Sequence, residues 1–178
     1  MANREALREL QARLASRLQT ARDEGVAVSW LAVEAGGHPY LLPLGQAGEI
    51  FPWTHVQAVP YTSQWFMGVA NLRGGLYGIV DLAGLIAHGG AAPAPRSELA
   101  LADASLLVFN AALDINAALL IDRLVGLRSA DAFTASQAPA AGAPAYFGAV
   151  YTASDGARWQ EISLQKLAQD PVFLSISA

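Results

Sequence analysis

Three histidines, His38, His55 and His88, are the residues in this chain best suited to acid–base or metal chemistry. Their spacing argues against both. Each stands beside a turn signal or a strand end, with no His-Glu-x-x-His and no paired histidines on one helix face. The chain has no Cys, which removes disulfides, thiolate chemistry and Cys-based zinc sites. Ser, His and Asp are all present, but no Gly-x-Ser-x-Gly elbow presents a serine as a nucleophile. The stretches "GQAG" and "LRGG" are glycine-rich without the order of a Walker A loop or of G-x-G-x-x-G, so no phosphate cradle is expected. Asp81 reads as the cap of a short helix and Asp122 as a strand-end or turn residue. No catalytic residue, cofactor site or metal ligand is expected, and the chain reads as not an enzyme.

One cation is placed oddly. In "VANLRGGLYGIVDLAGLI", Val69 to Ile86, Arg73 stands at a tight turn between two apolar strands. Asn or Asp would suit a bare turn better. A guanidinium offers a planar fork of five donors, suited to carboxylate or carbonyl groups. Those acceptors belong either to a partner or to the protein's own backbone, and the sequence leaves both open.

The composition bounds the rest. Of 178 residues, 53% are hydrophobic and 15% charged, against the usual ~25% charged. Disorder is therefore not expected. Much of the apolar excess is Ala, which buries little area per residue, so some apolar surface should remain exposed for a partner. The net charge is −4. Residues 1–24 hold five Arg, and the remainder holds six Lys and Arg against eleven Asp and Glu, a balance of −5. Such a body lacks the basic footprint of a nucleic-acid binder. The N-terminal "MANREALREL" has no apolar run and is not read as a secretory signal. No window reaches ~18 uninterrupted apolar residues, so no membrane insertion is expected and a cytoplasmic location is.

The elements follow from periodicity. Leu7, Leu10, Leu14, Leu18 and Ala21 form one stripe at helical spacing, with Asn3 as N-cap and Gly25 as stop. This makes residues 1–25 an amphipathic N-terminal helix, docked on its own domain or on a partner. From Val26 the period becomes two. "VAVSWLAVE" and "YLLPL" read as a hairpin across "AGGHP", and "VANLRG" and "GLYGIVDL" as a second across Gly74 and Gly75. "SLLVF", "AALLID" and "LVGL" add short apolar strands, and Asp155-Gly156 marks another hairpin. A short helix, "SLQKLAQ", follows Ser163 and ends before Pro171. The Ala/Pro-rich stretch near 89–98 is the best internal boundary. Many short strands with close-spaced turns indicate an all-β barrel or sandwich with peripheral helices.

These residues now carry a resemblance. The run "VPYTSQWFMGVANLRGGLYGIVDLAGLI" resembles the centre of CheW-like domains, the bacterial chemotaxis coupling proteins, through Pro60, Phe66, Gly68, Val69, Asn71, Leu72, Arg73, Gly74, Ile79, Val80, Asp81 and Leu82. "LLVFNAALDINAALLIDRLVGL" is similar to that family's paired strands, ending in a turn at Asp122 and Gly126. The likeness covers residues 26–170. The aromatic-rich C-terminal part resembles the PilI-type, twitching-motility subgroup of type IV pilus pathways. Two features depart from the pattern: Gly78 stands where the family commonly has Pro, and the N-terminal helix is longer than usual.

The resemblance implies two SH3-like five-stranded barrels around a shared core within residues 26–178. It implies a non-catalytic adaptor, without cofactor, that bridges the cytoplasmic tip of a methyl-accepting chemoreceptor to the regulatory domain of a CheA-type histidine kinase, beside membrane receptor arrays. It makes Arg73, Asn71, Leu72, Gly74, Gly68, Val69 and Phe66 the candidate receptor- or kinase-binding residues. The receptor's helices would enter an apolar groove between the barrels. The strand after Ser105 and the Asp122–Gly126 turn are candidates for the kinase face. A small β-barrel enzyme or ligand binder, a single-strand nucleic-acid binder and a coupling module with one partner lost are the alternatives.

Overall fold

A computed structural model describes residues 9, 11–17 and 28–178. Most of the expected N-terminal helix lies outside the described residues. Residues 11–17 are helical, and Leu14 is buried.

The chain is mostly β, in two sheets. One sheet takes its strands from both ends of the chain: β1 (Val28–Ala35), β2 (His38–Pro43), β8 (Arg123–Ser129), β9 (Phe133–Gln137), β10 (Phe147–Ala153) and β11 (Arg158–Ile162), in the order β8-β1-β2-β11-β10-β9. The other takes the middle: β3 (Ala47–Pro52), β4 (Phe66–Leu72), β5 (Gly75–Asp81), β6 (Ser105–Phe109) and β7 (Ala117–Ile121), in the order β3-β6-β7-β5-β4. Each contains one parallel pair, β2 with β11 and β5 with β7. The expected two sets of five strands are six and five. The extra strand is β9, "FTASQ", a mostly exposed edge whose only large apolar residue is Phe133.

The Ala/Pro-rich loop does not separate the sheets. β6 and β7 follow it and β3 to β5 precede it, yet all five pair together. The chain crosses between sheets at the 3-10 turn Leu44–Gln46 and again at Asp122. The loop also holds a short helix that its composition hides, α2 (Glu98–Asp103), whose first turn is capped by the Ser97 hydroxyl accepting from Ala100 N at 3.1 Å.

Period-two alternation builds three apolar clusters. On β1, Leu31 and Val33 face a large cluster shared by both sheets, together with Leu107, Leu119 and Ile121. Trp30 and Ala32 face the other way, into a cluster of the six-stranded sheet with Leu41 and Trp159. Leu106, Val108, Ile79 and Leu72 fill the inside of the five-stranded sheet. Strands β6 and β7 are buried along their whole length, as sheet interiors covered on both faces must be. Helices α1 (Leu82–Ile86), α3 (Leu164–Leu167) and α4 (Pro171–Leu174) cap the shared cluster with Leu82, Leu85, Leu164, Leu167 and Phe173. Ser163 caps α3 as expected from the sequence; α4 is an addition, capped by Asp170, whose carboxylate accepts from Val172 N and Phe173 N.

Candidate docking site

The β4–β5 hairpin turns on Arg73 and Gly74, both at positive φ (49° and 80°). Asn71 makes this turn: its Oδ1 accepts from Gly74 N at 2.9 Å, closing an Asx-type loop. Arg73 is thereby held in a left-handed conformation that a non-glycine residue adopts at a cost. Its side chain is 75% exposed. The guanidinium Nη2 reaches Glu49 Oε1 at 2.7 Å, and its carbon sits 5.8 Å from the centroid of the Phe51 ring. Glu49 and Phe51 lie on β3, at the opposite edge of the sheet from β4. The sheet therefore curls until its edges meet, and Arg73 spans them on the outside. Leu76, opposite Asn71 on β5, is 62% exposed.

The other candidate residues spread along β4. Leu72 is buried in the sheet's interior. Gly68 is where the chain after β3 crosses β4: Gln57 and Val69 exchange two backbone hydrogen bonds at 2.8 and 2.9 Å, and a Cβ on Gly68 would lie 2.1 Å from Gln57 O. Phe66, at the far end of the strand, packs edge-on against Trp65 with ring centroids 6.5 Å apart. The structure thus gathers Asn71, Arg73 and Gly74 at one tip and leaves Gly68, Val69 and Phe66 up to a strand length away. Gly78, the departure from proline, donates its N–H to Asn116 O at 2.9 Å, a bond that proline could not make.

A second arginine does what the sequence leaves open for the first. Arg96, from the Ala/Pro-rich loop, donates from Nη1 and Nη2 to the two Asp81 oxygens at 2.7 and 2.9 Å, and from Nε to Asp122 Oδ1 at 2.5 Å. Asp122 Oδ2 accepts from Gly36 N at 2.6 Å. Asp81 ends β5, Asp122 is the crossing between sheets, and Gly36 is the β1–β2 turn, so this network ties the sheets together. It corrects the reading of Asp81 as a cap: Asp81 occupies the N-cap position of α1, but its carboxylate makes no capping bond and is spent on Arg96. Arg96 is 14% exposed. Burial works to lower its pKa, and the hydrogen bonds and charges of Asp81 and Asp122 outweigh that and raise it. Only proximity in the fold reveals Arg96 and Glu49; neither sits in a recognisable motif.

Beside Glu49 a cleft runs from the junction of the sheets onto the five-stranded sheet. Gly48, Glu49 and Ile50 of β3 and Leu124 of β8 line one end, a cavity of 110 Å³ closed by Gln11, Leu14 and Ala15 of the N-terminal helical stretch. Its continuation, 680 Å³, is mixed in character, passing Tyr77, Phe109, Asn110, Asp114, Ile115 and Asn116. Gly48 lets β3 approach this closely, since a Cβ there would meet Phe109 O at 2.7 Å. A separate apolar groove of 580 Å³ lies between the β1–β2 turn, α1 and β10, lined by Pro39, Ala83, Ile86, Phe147 and Val150 with His38, Arg158 and Gln160. The histidines do not converge, and among the described residues no three His, Asp or Glu are close enough to hold a metal ion. No helix among them is long and apolar enough to cross a membrane.

Comparison with known proteins agrees with this architecture. Protein PilI of Pseudomonas aeruginosa is 28% identical over 169 residues, covering 93% of this chain and 89% of that protein. The crystal structure of the scaffolding protein TtCheW from Thermoanaerobacter tengcongensis superposes with a TM-score of 0.61 at 16% identity, over 78% of this chain and 90% of that one, which shows a shared fold. Residues 29–172 match the CheW-like domain, and the chain belongs to the CheW-like domain family.

Proposed function

We propose that this protein is a cytoplasmic, non-catalytic adaptor that couples the helical tip of a methyl-accepting chemoreceptor to a CheA-type histidine kinase, in a pathway controlling twitching by type IV pili. Family membership supports the adaptor role, and the likeness to PilI over nearly the whole chain supports the pilus pathway. The observation that carries the docking assignment is Arg73. A strained turn holds its guanidinium largely in solvent, next to an exposed leucine and paired with Glu49, which lines a cleft of mixed polar and apolar character. This is the composition of a recognition surface: apolar anchors for energy and one forked cation for register. Asn71 and Gly74 set the turn, and Leu72, Gly68, Val69 and Phe66 act through the strand that carries it. The kinase would meet a sheet edge such as β9, since β6, the strand after Ser105, is interior.

Arg73→Ala tests the assignment. The Arg73–Glu49 pair is exposed, so its loss should cost at most about 1 kcal/mol and leave the thermal midpoint within about 4 °C. Affinity for a synthetic receptor-tip hairpin should fall at least about tenfold, or about 1.4 kcal/mol. Unchanged affinity, or a midpoint lowered by more than about 6 °C, would make Arg73 a brace of the β3–β4 seam instead.

A further inference from the structure

The apolar groove between α1 and the six-stranded sheet shares no lining residue with the cleft beside Glu49. Strand register places its floor. Gln160 of β11 lies beside Tyr40 of β2 and opposite Val150 of β10, so these three side chains share one face of the sheet. That face points away from the cluster that Leu41 and Trp159 fill. One alternation earlier on β2 and on β11, which run parallel, come His38 and Arg158, on the same face and at the same end. The other wall is Ala83 and Ile86 of α1, continued by Ala91 and Pro93 of the Ala/Pro-rich loop. Ile86 and Phe147 are only partly buried against the shared cluster, and Val150 is partly buried as well. The charge in the groove is of one sign. No Asp or Glu lines it, although the chain carries a net −4. Arg158 is exposed and donates to a neutral amide, Gln137 Oε1, at 3.2 Å. Among the described residues neither Arg158 nor His38 makes an ion pair. Gln160 adds no free donor, since its amide nitrogen already donates to Gly148 O and Glu161 O, at 2.8 Å each.

We propose that this groove binds a small amphipathic carboxylate, with its apolar body among Ile86, Phe147 and Val150 and its carboxylate at the end held by Arg158 and His38. The volume of 580 Å³ lies within the ~300–1,000 Å³ of small-ligand sites, which are mostly apolar with a few polar groups that fix orientation. A guanidinium takes a carboxylate through two parallel hydrogen bonds, and an imidazole N–H can add a third. Burial of the apolar body supplies affinity. The cationic end supplies discrimination between an acid and the alcohol of the same chain length. A ligand in this seat touches both the six-stranded sheet and α1, the helix that follows β5. The proposal does not depend on the docking role of Arg73.

Octanoate and octanol are the probes, titrated into the full chain and followed residue by residue through backbone amide NMR shifts. Octanoate should move the signals of Ile86, Phe147 and Val150 and bind at least about tenfold tighter than octanol. Arg158→Gln alters an exposed side chain and should keep the parent spectrum, while the preference for the acid falls below about threefold. Val150→Trp puts an aromatic on a half-buried strand and should fold, filling the groove and weakening both probes at least about tenfold. If it does not fold, Ala91→Trp fills the groove from the exposed loop instead. Equal affinity for acid and alcohol would overturn the proposal, as would an Arg158→Gln chain that keeps the full preference. Shifts confined to residues outside the groove, or a filled variant that binds octanoate as the parent does, would also refute it.

Discussion

Arg96→Ala removes the centre of the network that joins the two sheets. In the folded protein Arg96 and Asp81 are each 14% exposed and Asp122 33%, so the pairing is largely out of water. Removing one partner of a buried pair leaves an uncompensated charge and costs about 3–5 kcal/mol. Asp122 keeps its bond from Gly36 N and part of its hydration, which places the loss near the lower end, about 3 kcal/mol. For a chain of this length that is a fall of roughly 6–12 °C in thermal midpoint. Asp81 loses both of its donors in this variant, so Asp81→Asn in the Arg96→Ala background should recover about 1–2 kcal/mol by removing the stranded charge. The two changes should therefore couple by more than about 1 kcal/mol in a double-mutant cycle read by urea unfolding. A midpoint shift under about 2 °C, or coupling under about 0.5 kcal/mol, would show that the network is solvated and does not hold the seam.

Three further outcomes are expected. Gly68→Ala forces a Cβ to within 2.1 Å of Gln57 O, with backbone on both sides of the clash. It should cost at least about 3 kcal/mol by denaturant unfolding, whereas Gly74→Ala, at φ 80° with open space around it, should cost about 1 kcal/mol. Equal costs would mean that β4 is not pinned under the Gln57 segment. Tyr146 is buried, 5% exposed, and its phenol is pushed up to about 12 by desolvation, with Asp170 and Tyr40 adding to it. Its folded pKa lies above the ordinary 10.0, so its contribution to stability is present below pH 10 and is lost as pH rises from 10 to about 12. Tyr146→Phe should flatten the unfolding free energy across that window, and an unchanged slope would contradict the burial.

How far the sequence could be read depended on the range of the interactions. Local order was legible. The alternation in "VAVSWLAVE" fits Leu31 and Val33 on one face and Trp30 and Ala32 on the other, and two hairpins that the glycine signals mark are present, the first turning on Arg73 and Gly74 rather than on Gly74 and Gly75. The Asn-Leu-Arg-Gly run pointed to the family. What failed was non-local. Nothing near Tyr40 announces that β2 pairs in parallel with β11 at Gln160, or that the Ala/Pro-rich loop lies within one sheet. β9 was invisible because an exposed edge strand needs little apolar pattern. Asp81 looks like a cap because caps are local, whereas the Arg96 fork that claims its carboxylate comes from fifteen residues downstream.

The two arginines differ in what holds them. A guanidinium that is buried, with every nitrogen on a carboxylate, is fixed by the fold it fixes. A guanidinium that is three-quarters exposed on a left-handed turn is expensive to place and gains little stability where it is. On the proposed function, that cost is offset by what the side chain does in the assembled state. The same argument applies to Leu76, exposed on the strand beside it, and to the cleft that Glu49 borders. Stability alone accounts for Arg96, Asp81 and Asp122; for Arg73 the proposed docking role supplies a reason that its exposed ion pair does not, and Arg73→Ala separates the two.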